Sequence, residues 1–399
     1  MHILFLTPWY PNRHDAMDGL FVAKHARAVA SAGAEVTVIR VRTDEAAKAI
    51  EIESCEKDGV LEIIVYTPSS KIPVLRQISA IINFVRGFAM AYRAAKRLKG
   101  KPDVTQVNIL TRMGVMGYIL KRVEGVPYVI IEHWGRYQPS RGQYNGFVRK
   151  RVTEMVCRNA HCVMTVSEDL ARVMRACRIR AREWRVVHNV VNDFFYNGQR
   201  HRHPDGLCHL LSVTTADERC KNNTGIIRSL ARAASTRRDI RLTIAGITPD
   251  TVPSVGRAVK SLGLSDIVTF VGEVAPEQIS RLMHEADALV MFSNSENAPC
   301  VISEALASGT PVLATSVGGI PEMVGPSVGI LVSPGDETAL ANAMTKVASG
   351  DTPFDEESIK EAAKAYSFSA VGRQLMSIYA DAVAASQPQP PQRADDKSQ

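Results

Sequence analysis

Short apolar runs, each followed by a helical pattern and a glycine or polar turn, recur along this chain of 399 residues. That alternation leaves few folds open. The first half carries His2–Thr7, Glu35–Ile39, Leu61–Tyr66, Val104–Val107, Pro127–Ile131 and Cys162–Val166. The second carries His209–Val213, Arg241–Gly246, Ile267–Gly272, Ala288–Phe292 and Pro311–Thr315. Runs of this length fit strands buried on both faces, as in a parallel sheet covered by helices. Between the two series lies the polar stretch 197–206, NGQRHRHPDG, with the Pro and Gly of a linker. The pattern predicts an α/β chain with an N-terminal Rossmann-like domain over 1–195 and a C-terminal one over 205–366, facing across a cleft. A last helix is expected over about 369–386. Residues 387–399 are Pro- and Gln-rich and charged, the composition of a disordered tail.

Charge divides at the same linker. Residues 1–200 hold 31 Lys and Arg against 18 Asp and Glu, a balance of +13. The remainder holds 17 against 23, or −6. A basic first half points to an anionic partner, such as a membrane surface or an anionic lipid acceptor. No zinc finger, aromatic RNA-binding fingerprint or related signature is present, which argues against nucleic acid. The seven cysteines (55, 157, 162, 177, 208, 220, 300) show no C-x-x-C pair and no zinc-like spacing. They read as reduced cytosolic thiols. His2–Thr7 lacks a basic leader and ends at Pro8, so it reads as a first strand and not a signal peptide. No run reaches the roughly 18 to 20 apolar residues of a membrane span. Residues Val74–Lys99 predict one long helix or two short ones. An apolar stripe there (Ile78, Ile81, Ile82, Val85, Phe88, Ala89, Tyr92) fits packing on the sheet or docking to an anionic membrane.

Chemistry concentrates in Asn294–Glu322, NSENAPCVISEALASGTPVLATSVGGIPE. Glu296 and Glu304 stand eight residues apart, the first on a loop after a strand and the second inside the next helix. That helix is expected over Val301–Ser308, opened by Pro299 and closed by Gly309. Ligands of open α/β sheets bind at the carboxyl ends of strands. The amides of Ala298, Cys300 and Val301 fall at the helix start, where free N–H groups and the macrodipole favour an anion. Two carboxylates that accept from hydroxyls, beside a phosphate-seeking helix end, suit a nucleotide sugar. Taken alone, a pair of glutamates at this spacing is commonplace.

The longer pattern is more specific. Ser293-x-x-Glu296, Pro299, Glu304-Ala-Leu-Ala-x-Gly309-x-Pro-Val and Val317-Gly-Gly-x-Pro-Glu322 resemble the retaining family-4 glycosyltransferases of the GT-B fold. The resemblance implies that the two glutamates and the Gly-Gly-x-Pro-Glu segment line a donor pocket. It implies that Gly19 belongs to a loop touching the donor diphosphate, where the bare sequence by itself reads as a loop glycine. It implies that His133, delivered by the strand ending at Ile131, lies near the donor sugar, with Glu132 a ligand or an orienter of the imidazole. It also implies that Lys221 grips the pyrophosphate. The family's arginine in that loop is replaced by Thr214 or Thr215, with Arg219 as a substitute. The last helix returns to cover the first domain.

These residues define the expected site: His133 and Glu296 as catalytic, and Gly19, Lys221, Asn297, Ala298, Pro299, Cys300, Val301, Glu304 and Gly272 as donor-binding. No D-x-D occurs, so no metal and no cofactor is expected beyond the UDP- or GDP-linked donor. The expected reaction moves a hexose to a hydroxyl of a glycan or lipid-linked acceptor in cell-envelope synthesis. Its expected setting is cytoplasmic, with peripheral contact at the inner membrane face. A GT-B epimerase or phosphorylase, and a non-catalytic nucleotide-sugar-binding subunit, are the competing expectations.

Overall fold

The computed structural model describes residues 1–387 apart from Lys71, Thr111, Arg202, Pro204 and Pro353. Residues 388–399, most of the expected tail, lie outside the described residues. The first part of the chain runs β1 (His2–Thr7), α1 (Leu20–Ser31), β2 (Glu35–Asp44), β3 (Glu51–Lys57), β4 (Val60–Pro68), α2 (Pro73–Lys99), β5 (Val104–Asn108), α3 (Arg112–Glu124) and β6 (Tyr128–Glu132). It continues through α4 (Phe147–Asn159), β7 (Val163–Thr165), α5 (Glu168–Ala176) and β8 (Trp184–Val186). These strands form one sheet in the order β3-β4-β2-β1-β5-β6-β7-β8. Only the β3–β4 hairpin is antiparallel.

The second part runs β9 (Cys208–Val213), α6 (Glu218–Lys221), α7 (Asn223–Ala234), β10 (Ile240–Ala245), α8 (Pro253–Ser261), β11 (Val268–Gly272), α9 (Pro276–Glu285), β12 (Ala288–Met291) and α10 (Cys300–Ala307). It continues through β13 (Val312–Thr315), α11 (Ile320–Met323), β14 (Gly329–Val332), α12 (Glu337–Ala348), α13 (Glu356–Ala363) and α14 (Phe368–Ala384). Its sheet is wholly parallel, in the order β11-β10-β9-β12-β13-β14. Both sheets reverse strand order beside their own first strand, at β1/β5 and at β9/β12. Such switch points open the crevices in which doubly wound folds bind ligands.

Each sheet is buried on both faces because strand side chains alternate. Leu4 and Leu6 of β1 pack with Phe84, Phe88 and Met116 of α2 and α3. Ile3 and Phe5 pack on the other face with Val22 of α1 and Leu375 of α14. So the chain's last helix comes back to the first sheet. Gly372 makes that crossing close, since a Cβ there would stand 2.5 Å from the Ala28 carbonyl oxygen. The two-domain GT-B architecture with a returning C-terminal helix is therefore the observed one.

Two local readings differ from the structure, and a third, left open between alternatives, is resolved by it. The exposed strand β3, sequence EIESCEK, carries no apolar pattern and was not expected; a polar antiparallel edge strand needs none. Helix α8 was also missed, because it is a single nine-residue stretch behind Pro253. The region from Pro73 to Lys99 is one helix, and its apolar stripe divides. Phe88 and Tyr92 enter the core, whereas Ile78, Ile81, Ile82 and Val85 are 46–57% exposed.

Candidate active site

Glycines bring the expected segment to its place. A Cβ on Gly318 would lie 1.8 Å from the Glu296 carbonyl oxygen, and one on Gly319 would lie 2.0 Å from that of Asn297. Gly318 also has φ +55°, which L side chains resist. The turn after β13 is thus pressed onto the backbone that carries Glu296 and Asn297. Pro299 forms the N-cap of α10, and no side chain caps that helix. Its first amides, at Cys300 and Val301, remain at the sheet rim for a ligand. The Cys300 thiol is held neutral, pushed up to about 11 by burial and next by Glu304.

Each expected carboxylate faces a lysine. Lys221, after β9, reaches Glu296 after β12 at 2.7 Å, across the switch point of the second sheet. Glu304, one turn into α10, meets Lys24 of α1 at 3.2 Å, with side chains only 13% and 8% exposed. Lys24 belongs to the other domain and was not among the expected residues. Its one local signal is that Lys24 and His25 interrupt an otherwise small and apolar buried helix face.

Gly19 caps α1 with φ +65°, and a Cβ there would lie 2.3 Å from the Trp9 carbonyl carbon and oxygen. Glycine is therefore required by close backbone approach, independent of any ligand. The loop 8–19 lies after β1, so it shares the rim at which β6 leads into His133.

His133 sits against Phe21 and His25, with ring centroids at 4.4 and 5.5 Å. Neither buried ring nitrogen makes a well-formed hydrogen bond among the described residues, although the Asn189 side chain lies close enough to interact. Burial, and then the nearby His25, depress its pKa well below the ordinary value, so the imidazole is neutral at physiological pH. A neutral ring with an unspent N–H and an unspent lone pair is costly to keep buried, and a ligand hydroxyl would satisfy it. Glu132 does not touch that ring. Its carboxylate accepts from the amides of Leu110, His133 and Trp134 and from the Tyr137 hydroxyl, all at 2.9–3.0 Å. It shapes the loop and is neither ligand nor orienter of the imidazole.

The domains also meet through Asn297, whose Nδ2 donates to the His133 carbonyl at 2.9 Å. Asn189 donates to the Ala298 carbonyl at 3.2 Å. Glu322 leaves the pocket side and crosses to α5, where its two oxygens accept from the Glu168 and Asp169 amides at 2.7 Å. A carboxylate on free N-terminal amides is favoured by both hydrogen bonding and the helix dipole. Ser167 caps the same helix by accepting from the Leu170 amide.

Around Lys221 the fold brings in an arginine that the sequence did not single out. Arg219 is exposed and offers only its carbonyl, to Asn294. Thr214 bonds Asn223. Arg141 comes instead from the first domain, with Nη2 at 3.8 Å from Cys220 Sγ and with a buried Nε that lacks a partner. A Cβ on Gly135 would touch both the Asn297 amide and that Nε. Gly272 ends the edge strand β11 with φ +66°, and its carbonyl accepts from Gly246. It shares the carboxyl rim but stands at the far end of the sheet from the paired carboxylates.

The architecture defines the class: two facing Rossmann-like domains with the C-terminal helix on the first, the GT-B arrangement. Comparison with known proteins agrees. The Glycosyltransferase Family 4 domain matches residues 19–193 and the Glycosyl transferases group 1 domain matches 197–365. The chain belongs to the family-4 glycosyltransferases. An MMP alpha-(1->4)-mannosyltransferase of Mycolicibacterium hassiacum is 26% identical over 182 residues, 44% of this chain and 43% of that protein. Aligned stretches thus span about two-fifths of such curated relatives. Among solved structures, sucrose-phosphate synthase of Thermosynechococcus elongatus superposes with TM-score 0.72 at 22% identity, covering 96% of this chain and 100% of the other. Anabaena HepE in complex with UDP gives 0.69 at 19%, covering 96% and 100%.

Proposed function

We propose that the protein moves a hexose from a UDP- or GDP-hexose to a hydroxyl of a glycan or lipid-linked acceptor, with retention at the anomeric carbon. The observation that carries this reading is the meeting, across one cleft, of two lysine–carboxylate pairs, an uncapped helix start and an unpartnered neutral histidine. A nucleotide sugar would satisfy all of them. Its hydroxyls would take Glu304 at the ribose and Glu296 at the hexose, and His133 would hydrogen-bond a sugar hydroxyl. Its diphosphate would take the α10 amides, Lys221, Arg141 and the loop at Gly19. Fixed donors aimed at a departing diphosphate stabilise the charge that develops there, without a metal bridge. The mannosyltransferase among the relatives supports a hexose, and the fold neighbour that holds UDP supports a nucleotide donor.

Glu296 is read as a binding group and not a nucleophile, because Lys221 and the sugar hydroxyls would share its oxygens. The acceptor oxygen attacks on the face the diphosphate leaves. The bond from the anomeric carbon to the phosphate oxygen breaks, the bond to the acceptor oxygen forms, and the acceptor proton passes to the departing diphosphate.

The surface of the first domain supports a membrane setting. Ile78, Ile81, Ile82 and Val85 of α2 are exposed beside Arg86, and Phe147 and Val148 of α4 are 74% and 73% exposed beside Arg149, Lys150 and Arg151. Apolar residues flanked by cations suit the interface of an anionic bilayer. Among the described residues no helix is long and apolar enough to cross a membrane. We place the reaction at the cytoplasmic face, in cell-envelope glycan or glycolipid synthesis.

The test is a panel of UDP- and GDP-hexoses, with EDTA and a membrane extract as acceptor source, scored for nucleoside diphosphate release and product anomer. One donor turned over with retention is the expected result. Donor binding without release, or an inverted product, would overturn the reading.

A further inference from the structure

At the opposite end of β9 from the donor cleft, the linker folds back on the second sheet. Arg200 donates to the carbonyls of Gly309 and Ala286, and the His201 amide donates to His284. This holds the following turn against the start of β9. His203, Asp205 and His209 come together there, with one ligand atom of each lying within 4.8 Å of the others. The His203 and His209 rings stack at 3.6 Å, and His209 Nε2 lies 2.9 Å from Asp205 Oδ2. Two imidazoles and one carboxylate converging this closely is a donor set for a divalent transition ion.

The supporting groups are also present. Asp205 Oδ1 accepts from the Leu207 amide at 3.0 Å, which orients the carboxylate. His209 lies on a strand, and its backbone amide is fixed by Asp287 at 2.8 Å. Neither ring nitrogen of His203 has a hydrogen-bond partner among the described residues, so a lone pair is free for a ligand. An open cleft of about 400 Å³, lined by His203, Leu207 and Asp287 among others, gives an entry path. Oriented ligands and an entry path are what a workable metal site requires. Cysteine spacing gave no hint of it, because no cysteine takes part.

We propose that His203, Asp205 and His209 bind one zinc-class divalent ion, completed by water, which fastens the interdomain linker to the second domain. The site does not depend on the donor reading above, since none of its residues faces the cleft rim.

The test uses the full chain, stripped with EDTA and titrated with Zn²⁺ against a chromophoric chelator, then loaded with Co²⁺. The wild type is expected to bind one more ion than the His203→Ala/His209→Ala double variant and to show a visible four-coordinate Co²⁺ band that the variant lacks. Asp205→Asn keeps the shape and should weaken binding roughly 10- to 100-fold, while His201→Ala should bind as the wild type does. Unchanged circular dichroism would show that the double variant folds. Equal stoichiometry and affinity in wild type and double variant would overturn the proposal. Any ions would then sit on thiols such as exposed Cys55, and the triad would be a plain His–Asp contact. Failure of the wild type to bind any ion would overturn it equally.

Discussion

The two lysine–carboxylate pairs look alike and are built differently. Lys221 ends the short helix α6 after β9 and Glu296 lies on the loop after β12, on either side of one sheet's switch point, so their pairing needs no contact with the first domain. Lys24 and Glu304 lie 280 residues apart on different domains, so their pairing is a contact between the two domains. One pair is prearranged by a fold, the other by an encounter of two folds. On the proposed reading, the first sets local geometry for the sugar end of a donor, and the second would couple occupancy of the ribose end to the contact between the domains.

Several substitutions separate these roles. The largest expected effect is on turnover: Glu296→Ala or His133→Ala should lower kcat by about 10²- to 10³-fold, as loss of one transition-state contact does, with donor release as the readout. Arg141→Ala should come next, lowering kcat/KM by roughly 10- to 100-fold, about 1.4 to 2.7 kcal/mol. Arg219→Ala should change little. Equal effects of the two would contradict the placement of Arg141 in the cleft. Lys24→Met should leave Glu304 buried without its partner, a costly state. Small-angle scattering should show a more open unliganded chain, whereas Lys221→Met should stay closed. Replacing Ile81 and Ile82 with Glu should reduce sedimentation with anionic vesicles and spare turnover of a soluble acceptor.

The smallest effect concerns pH. Burial, opposed in part by a hydrogen bond to the His188 carbonyl, lowers His25 to about 4 from an ordinary 6.5. Between those values the unfolded chain binds the proton that the folded chain refuses, so stability rises with pH across that window. The contribution of neutral His25 is thus complete above about 6.5 and lost as pH falls toward 4. The unfolding midpoint of wild type should drop more between pH 7 and 5 than that of His25→Asn.

Much of this was readable beforehand, for a physical reason. Strand runs such as His2–Thr7 and Ala288–Phe292, and helix stops such as Gly309, are local signals, and they place Glu296, Glu304 and Lys221 at the rim of the second sheet and His133 at the rim of the first. Lys24, Arg141 and Glu322 act through partners in the opposite domain, so no spacing along the chain reveals them. Lys24 hides on a helix whose period assigns it to the core, and Arg141 sits in an Arg-, Tyr- and Gly-rich loop with no motif to single it out. Glu132 misled in the other direction. A carboxylate beside a site histidine invites a catalytic role, yet four backbone and hydroxyl donors consume it.

The most direct test compares calorimetric binding of the nucleoside diphosphate and of the nucleotide sugar by Glu296→Gln and Glu304→Gln. Glu304→Gln is expected to weaken both ligands alike, because both carry the ribose. Glu296→Gln is expected to weaken only the nucleotide sugar, erasing the increment the hexose provides. Equal losses for both ligands in both variants would show that the two carboxylates do not divide the donor between them, and the account of the cleft would fail.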